Sequence, residues 1–220
     1  MSTGLGRPRV KICGVKSPEE ALLAAELGAD LIGLNFHPLS PRCLDAAAAK
    51  EIAVAVAEAK RRPLLAGVFV HQEAEEAAAM GDEIGLDLLQ FHGNLPPAEV
   101  APFAGRALVA LRAHGRPEPE ELAPWREIGV WGLILDASHP SLFGGTGKSW
   151  DFASVAGLAL PGERLLIAGG LRASNLVSAV EATRPWGVDL CSGVESAPGT
   201  RDPGLLRELF RTLEHSFPSA

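Results

Sequence analysis

Eight short runs rich in Val, Ile and Leu recur along the chain: Val10–Cys13, Leu31–Asn35, Leu64–Val70, Leu86–Gln90, Ala107–Leu111, Val130–Leu135, Arg164–Ala168 and Gly187–Cys191. They begin roughly 20 to 34 residues apart, the cadence of βα units. Each run is continuously apolar rather than alternating, as strands buried on both faces of a parallel sheet require. Alanine-rich amphipathic segments fill the gaps. Ser17-Pro18-Glu19-Glu20 supplies an N-cap serine, a first-turn proline and a glutamate three residues on, and Ala21, Leu22, Ala25 and Leu27 then form one stripe before Gly28. Asp202-Pro203 opens the last helix, with Leu205, Leu206, Leu209 and Phe210 as its inner face. Asp45–Lys60, Gln72–Glu83, Pro97–Phe103, Glu118–Glu127 and Ser174–Arg184 occupy the slots between, and Asp151–Leu160 has the faintest helical pattern. Eight strands and about eight helices predict a single-domain (β/α)8 TIM barrel over residues 1–220, with an open doubly wound sheet as the alternative.

Composition narrows the function classes. With 47% apolar and 21% charged residues the chain can stabilise its own core. A net charge of −7 opposes nucleic acid and anionic membranes as partners. No apolar run reaches the roughly 18 residues that span a bilayer, and Met1–Pro8 has no apolar signal region. Three cysteines at unrelated spacings make neither a disulfide framework nor a zinc pattern. A reduced, cytoplasmic protein is expected.

The catalytic rim of a barrel lies at the C-terminal ends of its strands, so residues there carry the chemistry. Cys13 closes the first strand and Asp136 follows the sixth. A free thiol is commonly a small buried hydrophobe, and an aspartate after a strand can simply cap a turn. Together they also form a plausible base and acid. Cys43 and Cys191 read as packing residues. Lys11 lies two residues before Cys13 and shares its face, so inside a barrel it needs a carboxylate partner. Arg42 sits in Pro38-Leu39-Ser40-Pro41-Arg42, where two prolines stiffen the loop and prepare a guanidinium to hold a carboxylate. Gly169-Gly170 follows the seventh strand and Ser192-Gly193 the eighth, the usual positions of a barrel's phosphate cradle. Gly144–Lys148 looks like the end of a nucleotide-binding P-loop, but its first glycine would fall on Leu142 and the preceding strand ends too early. It reads as a glycine loop able to fold over a ligand. His37, His71 and His92 each follow a strand, yet no carboxylate pattern completes a metal-ligand set.

Taken in order, VKICG at Val10–Gly14, S-P-R within Phe36–Arg42, AGVFV at Ala66–Val70, LQFHG at Leu89–Gly93, LILD at Leu133–Asp136, GGTGK at Gly144–Lys148, AGGL at Ala168–Leu171 and SGVE at Ser192–Glu195 with Pro198-Gly199 resemble the phosphoribosylanthranilate isomerase family. The resemblance implies a (β/α)8 barrel using neither metal nor cofactor, acting on a small phosphosugar substrate in tryptophan biosynthesis. The implied reaction is an Amadori rearrangement of N-(5-phosphoribosyl)anthranilate to the 1-deoxyribulose 5-phosphate ketone. By position, Asp136 would protonate the furanose oxygen and Cys13 would remove the C2 proton. Arg42 would bind the anthranilate carboxylate, and Gly169, Gly170, Ser192 and Gly193 the phosphate. The chain departs from the family pattern at Trp150-Asp151-Phe152, where F-D-W is frequent, at Arg201, where lysine is frequent, and at Ala168, where serine is common. Competing readings are a metal-dependent phosphosugar epimerase using the three loop histidines, a phosphate-binding sensor barrel without turnover, and a P-loop nucleotide binder.

Overall fold

The computed structural model describes residues 6–93, 95–113, 115–136 and 152–218. Eight parallel strands close into a barrel in sequence order: β1 Arg9–Cys13, β2 Leu31–Asn35, β3 Leu64–Val70, β4 Leu88–His92, β5 Ala107–Arg112, β6 Gly132–Asp136, β7 Leu165–Ala168 and β8 Gly187–Leu190. The open doubly wound alternative is therefore excluded, because β1 pairs with both β2 and β8. Seven α-helices are present among the described residues: α1 Pro18–Leu27, α2 Ala46–Ala57, α3 Ala74–Ile84, α4 Pro97–Val100, α5 Pro119–Glu127, α6 Ala173–Thr183 and α7 Pro203–Ser216. No helix among the described residues is long and apolar enough to cross a membrane.

Local chemistry explains the boundaries. Ser17 Oγ accepts from the Glu20 amide at 3.3 Å, and Gly28 ends α1 in the left-handed region with φ of 100°. Asp202 Oδ1 accepts from the Gly204 and Leu205 amides at the start of α7. The fourth strand starts two residues later than its apolar run. The Leu86 amide donates back to Gly81 in the turn that ends α3, and Asp87 spends a carboxylate oxygen on the Leu65 amide. α4 runs on into a 3-10 segment, Ala101–Arg106, because Pro102 lacks the amide that an α-helix would use. Where a helix was expected over Asp151–Leu160, only a 3-10 turn forms at Phe152–Val155, burying Phe152 and Val155. Gly157, Pro161 and Gly162 oppose a longer helix there, and Asp151 lies outside the described residues.

The main core joins the outer strand faces to the helices, with Val10, Ile12, Ile32, Leu34 and Val188 meeting Ile52, Leu176, Leu206 and Phe210. A second core fills the barrel. Leu108, Ala110, Ile134, Leu166 and Ala168 pack there against Trp131 and Trp186, whose rings meet edge to face at 5.5 Å. After β8 the chain forms a two-stranded antiparallel ribbon, β9 Glu195–Ala197 and β10 Thr200–Arg201, turning at Pro198-Gly199.

Candidate active site

Strand register assembles one side of the site. Lys11 and Asp189 are partners across β1 and β8, and Lys11 Nζ, fully buried, donates to Asp189 Oδ1 at 3.0 Å and Oδ2 at 2.9 Å. Burial alone would push the amine down, but the Asp189 carboxylate outweighs it and holds Lys11 charged. Cys13 and Cys191 stand one rung nearer the C-terminal rim, near enough for one thiol to act on the other as a hydrogen-bond donor. That hydrogen bond is the largest influence holding the Cys13 thiol well below its ordinary range. Burial acts in the opposite direction, while the Lys11 ammonium and His92 lower it further. Cys191 is pushed the other way by the same hydrogen bond. Gly33 pairs with Cys13 across β2, and a Cβ there would lie 2.8 Å from Cys13 Sγ and 3.1 Å from Lys11 Nζ, so the thiol and ammonium need this gap.

Asp136 is the last residue of β6, inside the strand rather than after it, in register with Arg112 and Ala168. Strand alternation gives it the face of Ile134, which packs inside the barrel. His92, likewise the last residue of its strand, is pushed down by burial and up by both Asp136 and Cys13. Its charge interactions with both residues link β4 to the Asp136 carboxyl and to the Cys13 thiol. Its Nε2 lies 2.8 Å from the Gln90 amide nitrogen.

Arg42 is held from three directions. The Ser40 hydroxyl accepts from its amide at 3.1 Å, and Glu195 of β9 takes Nε at 2.7 Å and Nη2 at 2.6 Å. Its side chain also lies over Gly14, whose φ is 74°, and a Cβ on Gly14 would collide with it. The Glu195 hydrogen bonds keep the guanidinium firmly charged. Arg201, opposite Glu195 in the ribbon, donates to the Cys13 carbonyl at 2.6 Å and the Cys191 carbonyl at 3.1 Å. The ribbon thus clamps the Arg42 loop and the ends of β1 and β8 together.

On the next side, Gly169 and Gly170 both adopt positive φ, 99° and 66°. Ser192–Val194 forms a 3-10 turn. A Cβ on Gly193 would strike the Leu171 carbonyl, so the loops after β7 and β8 touch only because this residue is glycine.

The structure therefore gathers Cys13, Arg42, Ser192 and Gly193 around the end of β1 and β8, with Gly169-Gly170 beside them and Asp136 on the inner face of β6. Gly144–Lys148 and the rest of the long connection after β6 lie outside the described residues. Four residues at this rim were given no site role by the sequence reading: Asp189, Cys191, Glu195 and Arg201. Cys191, read as a packing residue, follows Leu190 at the end of β8 and so stands beside Cys13. The available signal was the spacing Asp189/Cys191, which repeats Lys11/Cys13 two residues apart on a strand that a closed barrel must pair with β1. Among the described residues no three His, Cys, Asp or Glu side chains form a cluster able to hold a metal, so the histidine-based epimerase reading lacks a ligand set there.

A family model described as N-(5'phosphoribosyl)anthranilate (PRA) isomerase matches residues 10–212. The N-(5'-phosphoribosyl)anthranilate isomerase of Myxococcus xanthus is 42% identical over 210 residues, covering 94% of this chain and 96% of that one. The crystal structure of phosphoribosyl anthranilate isomerase from Thermotoga maritima superposes with a TM-score of 0.84 at 31% identity, covering 94% of this chain and 99% of the other. A further isomerase structure, with a TM-score of 0.78 and 29% identity over 94% of this chain and 99% of its own, holds reduced 1-(o-carboxyphenylamino)-1-deoxyribulose 5-phosphate.

Proposed function

From the premise that this chain belongs to the phosphoribosylanthranilate isomerase family and is an isomerase of tryptophan biosynthesis, we propose that Cys13 is its general base and Asp136 its general acid. The observation that carries this reading is the environment of Cys13, a thiol at a strand tip flanked by an ammonium and a second thiol that both favour its anionic form. The relative bound to a reduced, phosphorylated carboxyphenylamino ketose supports a substrate of the same class here.

The acid protonates the furanose ring oxygen of N-(5-phosphoribosyl)anthranilate, and the C1–O bond breaks to leave an iminium at C1. The iminium acidifies the neighbouring C2–H, so a thiolate is a strong enough base to remove that proton. The resulting enolamine tautomerises to the ketone. Lys11 stays beneath the thiol as a fixed positive charge rather than a proton carrier, because Asp189 holds it charged. Arg42 binds the anthranilate carboxylate through the Nη1–Nη2 edge of its fork, Nε and one Nη2 hydrogen being taken by Glu195. Backbone amides at Gly169-Gly170 and Ser192-Gly193 hold the phosphate, which suits an acidic protein since amide dipoles need no net positive charge.

Cys13→Ala and Asp136→Asn should each lower turnover about 10²-fold or more, with little change in binding of a reduced product analogue. Near-normal turnover in either variant would remove that residue from its role. A bound phosphate should lie within about 3 Å of the backbone nitrogens of the two glycine loops. A ligand-bound crystal structure with the phosphate seated at Gly144–Lys148 would overturn that placement.

A further inference from the structure

The β1–β8 seam is a two-rung ladder inside the barrel. Its lower rung is the Lys11–Asp189 ion pair, and the register that aligns Ile12 with Leu190 brings the next inward pair, Cys13 and Cys191, side by side. The backbone of the upper rung is locked independently of its side chains, because the buried Arg201 guanidinium bridges the Cys13 and Cys191 carbonyls at 2.6 and 3.1 Å. That clamp does not use the Cys191 thiol, which stands beside that of Cys13.

We propose that Cys191 is a positioning residue for the isomerase reaction: its S–H donates a hydrogen bond to the Cys13 sulfur, holding it as an aligned thiolate that faces the barrel mouth. The other charged or titratable groups acting on Cys13 come from every side. Lys11 lies on β1, His92 on β4 and Asp189 on β8, and Arg42 approaches from the connection after β2. His92 in its protonated form acts through space, Lys11 acts both through its charge and as a donor from the rung below, and Cys191 adds a second donor from the end of the neighbouring strand. Donation to an anionic acceptor is stronger than between neutral groups, and it opposes the cost of burying that anion. A packing residue at this position would be indifferent to whether it could donate.

The catalytic consequence rests on Cys13 being the base; the hydrogen bond itself is testable apart from it. Iodoacetamide alkylation of Cys13, followed by mass spectrometry across pH, reads the thiolate fraction at that residue. The assay compares the wild type, Cys191→Ser, Cys191→Ala and, should the alanine variant fail to fold, the near-isosteric Cys191→Val. Removing the donor should raise the alkylation midpoint by about one pH unit or more and move the acid limb of kcat/KM by the same amount. Cys191→Ser, which keeps a donor, should stay near wild type in both. An unchanged midpoint in the alanine or valine variant would overturn the proposal, as would equal displacement in the serine variant. If the midpoint moves but Cys13→Ala retains turnover, the hydrogen bond stands and the assignment of Cys13 as base falls.

Discussion

The two ends of the barrel handle charge in opposite ways. At the N-terminal end Asp30 gathers Arg9 at 2.8 Å, Arg61 at 2.7 Å and Arg7 at 3.6 Å, and also accepts from the Val10 amide. Arg9 and Arg61 are more than half exposed. One carboxylate thus has several partners, two of them well exposed to water. At the C-terminal end two ion pairs each join one cation to one carboxylate, Lys11 with Asp189 inside the barrel and Arg42 with the buried side chain of Glu195 at its rim. Redundant exposed pairs tolerate loss because solvent and the remaining cations replace what is removed. Dedicated buried pairs do not, and that intolerance is what keeps reactive groups in a single arrangement.

The hardest test of this contrast is Asp189→Ala, which strands the Lys11 ammonium inside the barrel. It should cost about 3–5 kcal/mol in chemical denaturation, whereas Lys11→Met combined with Asp189→Leu should recover most of that loss. A single-variant cost below about 1 kcal/mol, the range of exposed pairs, would erase the distinction between the ends.

A smaller effect is expected at the rim itself. Arg42→Ala should weaken binding of a carboxylate-bearing product analogue by about 1.5–3 kcal/mol, or roughly 10- to 150-fold, and Arg42→Lys should regain only part of it. An aniline-derived analogue lacking the carboxylate discriminates the roles in calorimetry. Wild type should bind it poorly and Arg42→Ala should hardly distinguish the two ligands. Equal weakening of both would make Arg42 structural.

Acid sharpens the comparison further. Burial raises the Glu195 carboxyl, but the Arg42 hydrogen bonds outweigh it and leave it below its usual range. A folded-state value below the unfolded one means that its stabilisation is complete above the unfolded pKa of about 4.3 and is lost as pH falls through the folded value. Thermal unfolding of wild type and Glu195→Gln should therefore differ near neutral pH, and the gap should begin to close only below the unfolded value and vanish once the pH has passed the lower folded-state value. A constant gap across that range would assign the difference to packing.

The least effect belongs to Arg61→Ala, which leaves Asp30 with its other partners. It should cost under about 1 kcal/mol, and the difference from wild type should shrink in high salt.

How much of this was legible depended on whether the cause was local. The strands and most helices could be read because apolar runs, Ser17, Gly28 and Asp202 act within a few residues of themselves. The ends of β4 and β6 were misplaced because Leu86, Asp87, Val130 and Trp131 are apolar or turn-like in sequence yet are claimed by hydrogen bonds to preceding elements. That placed Asp136 and His92 outside strands whose last inward positions they occupy. Candidate residues at strand tips were legible from position alone; their environments were not.

What the chain determined by itself is a barrel of eight βα units with a cysteine, an aspartate, an arginine and two glycine loops at the rim, because each follows from short-range pattern and strand order. Only the closed tertiary structure decided their partners. Lys11 meets Asp189 across 178 residues, Arg42 meets Glu195 across 153 and Arg201 reaches the Cys13 carbonyl across 188. Those pairings depend on the register between the first and last strands, and no local propensity encodes a register that exists only once the sheet has closed.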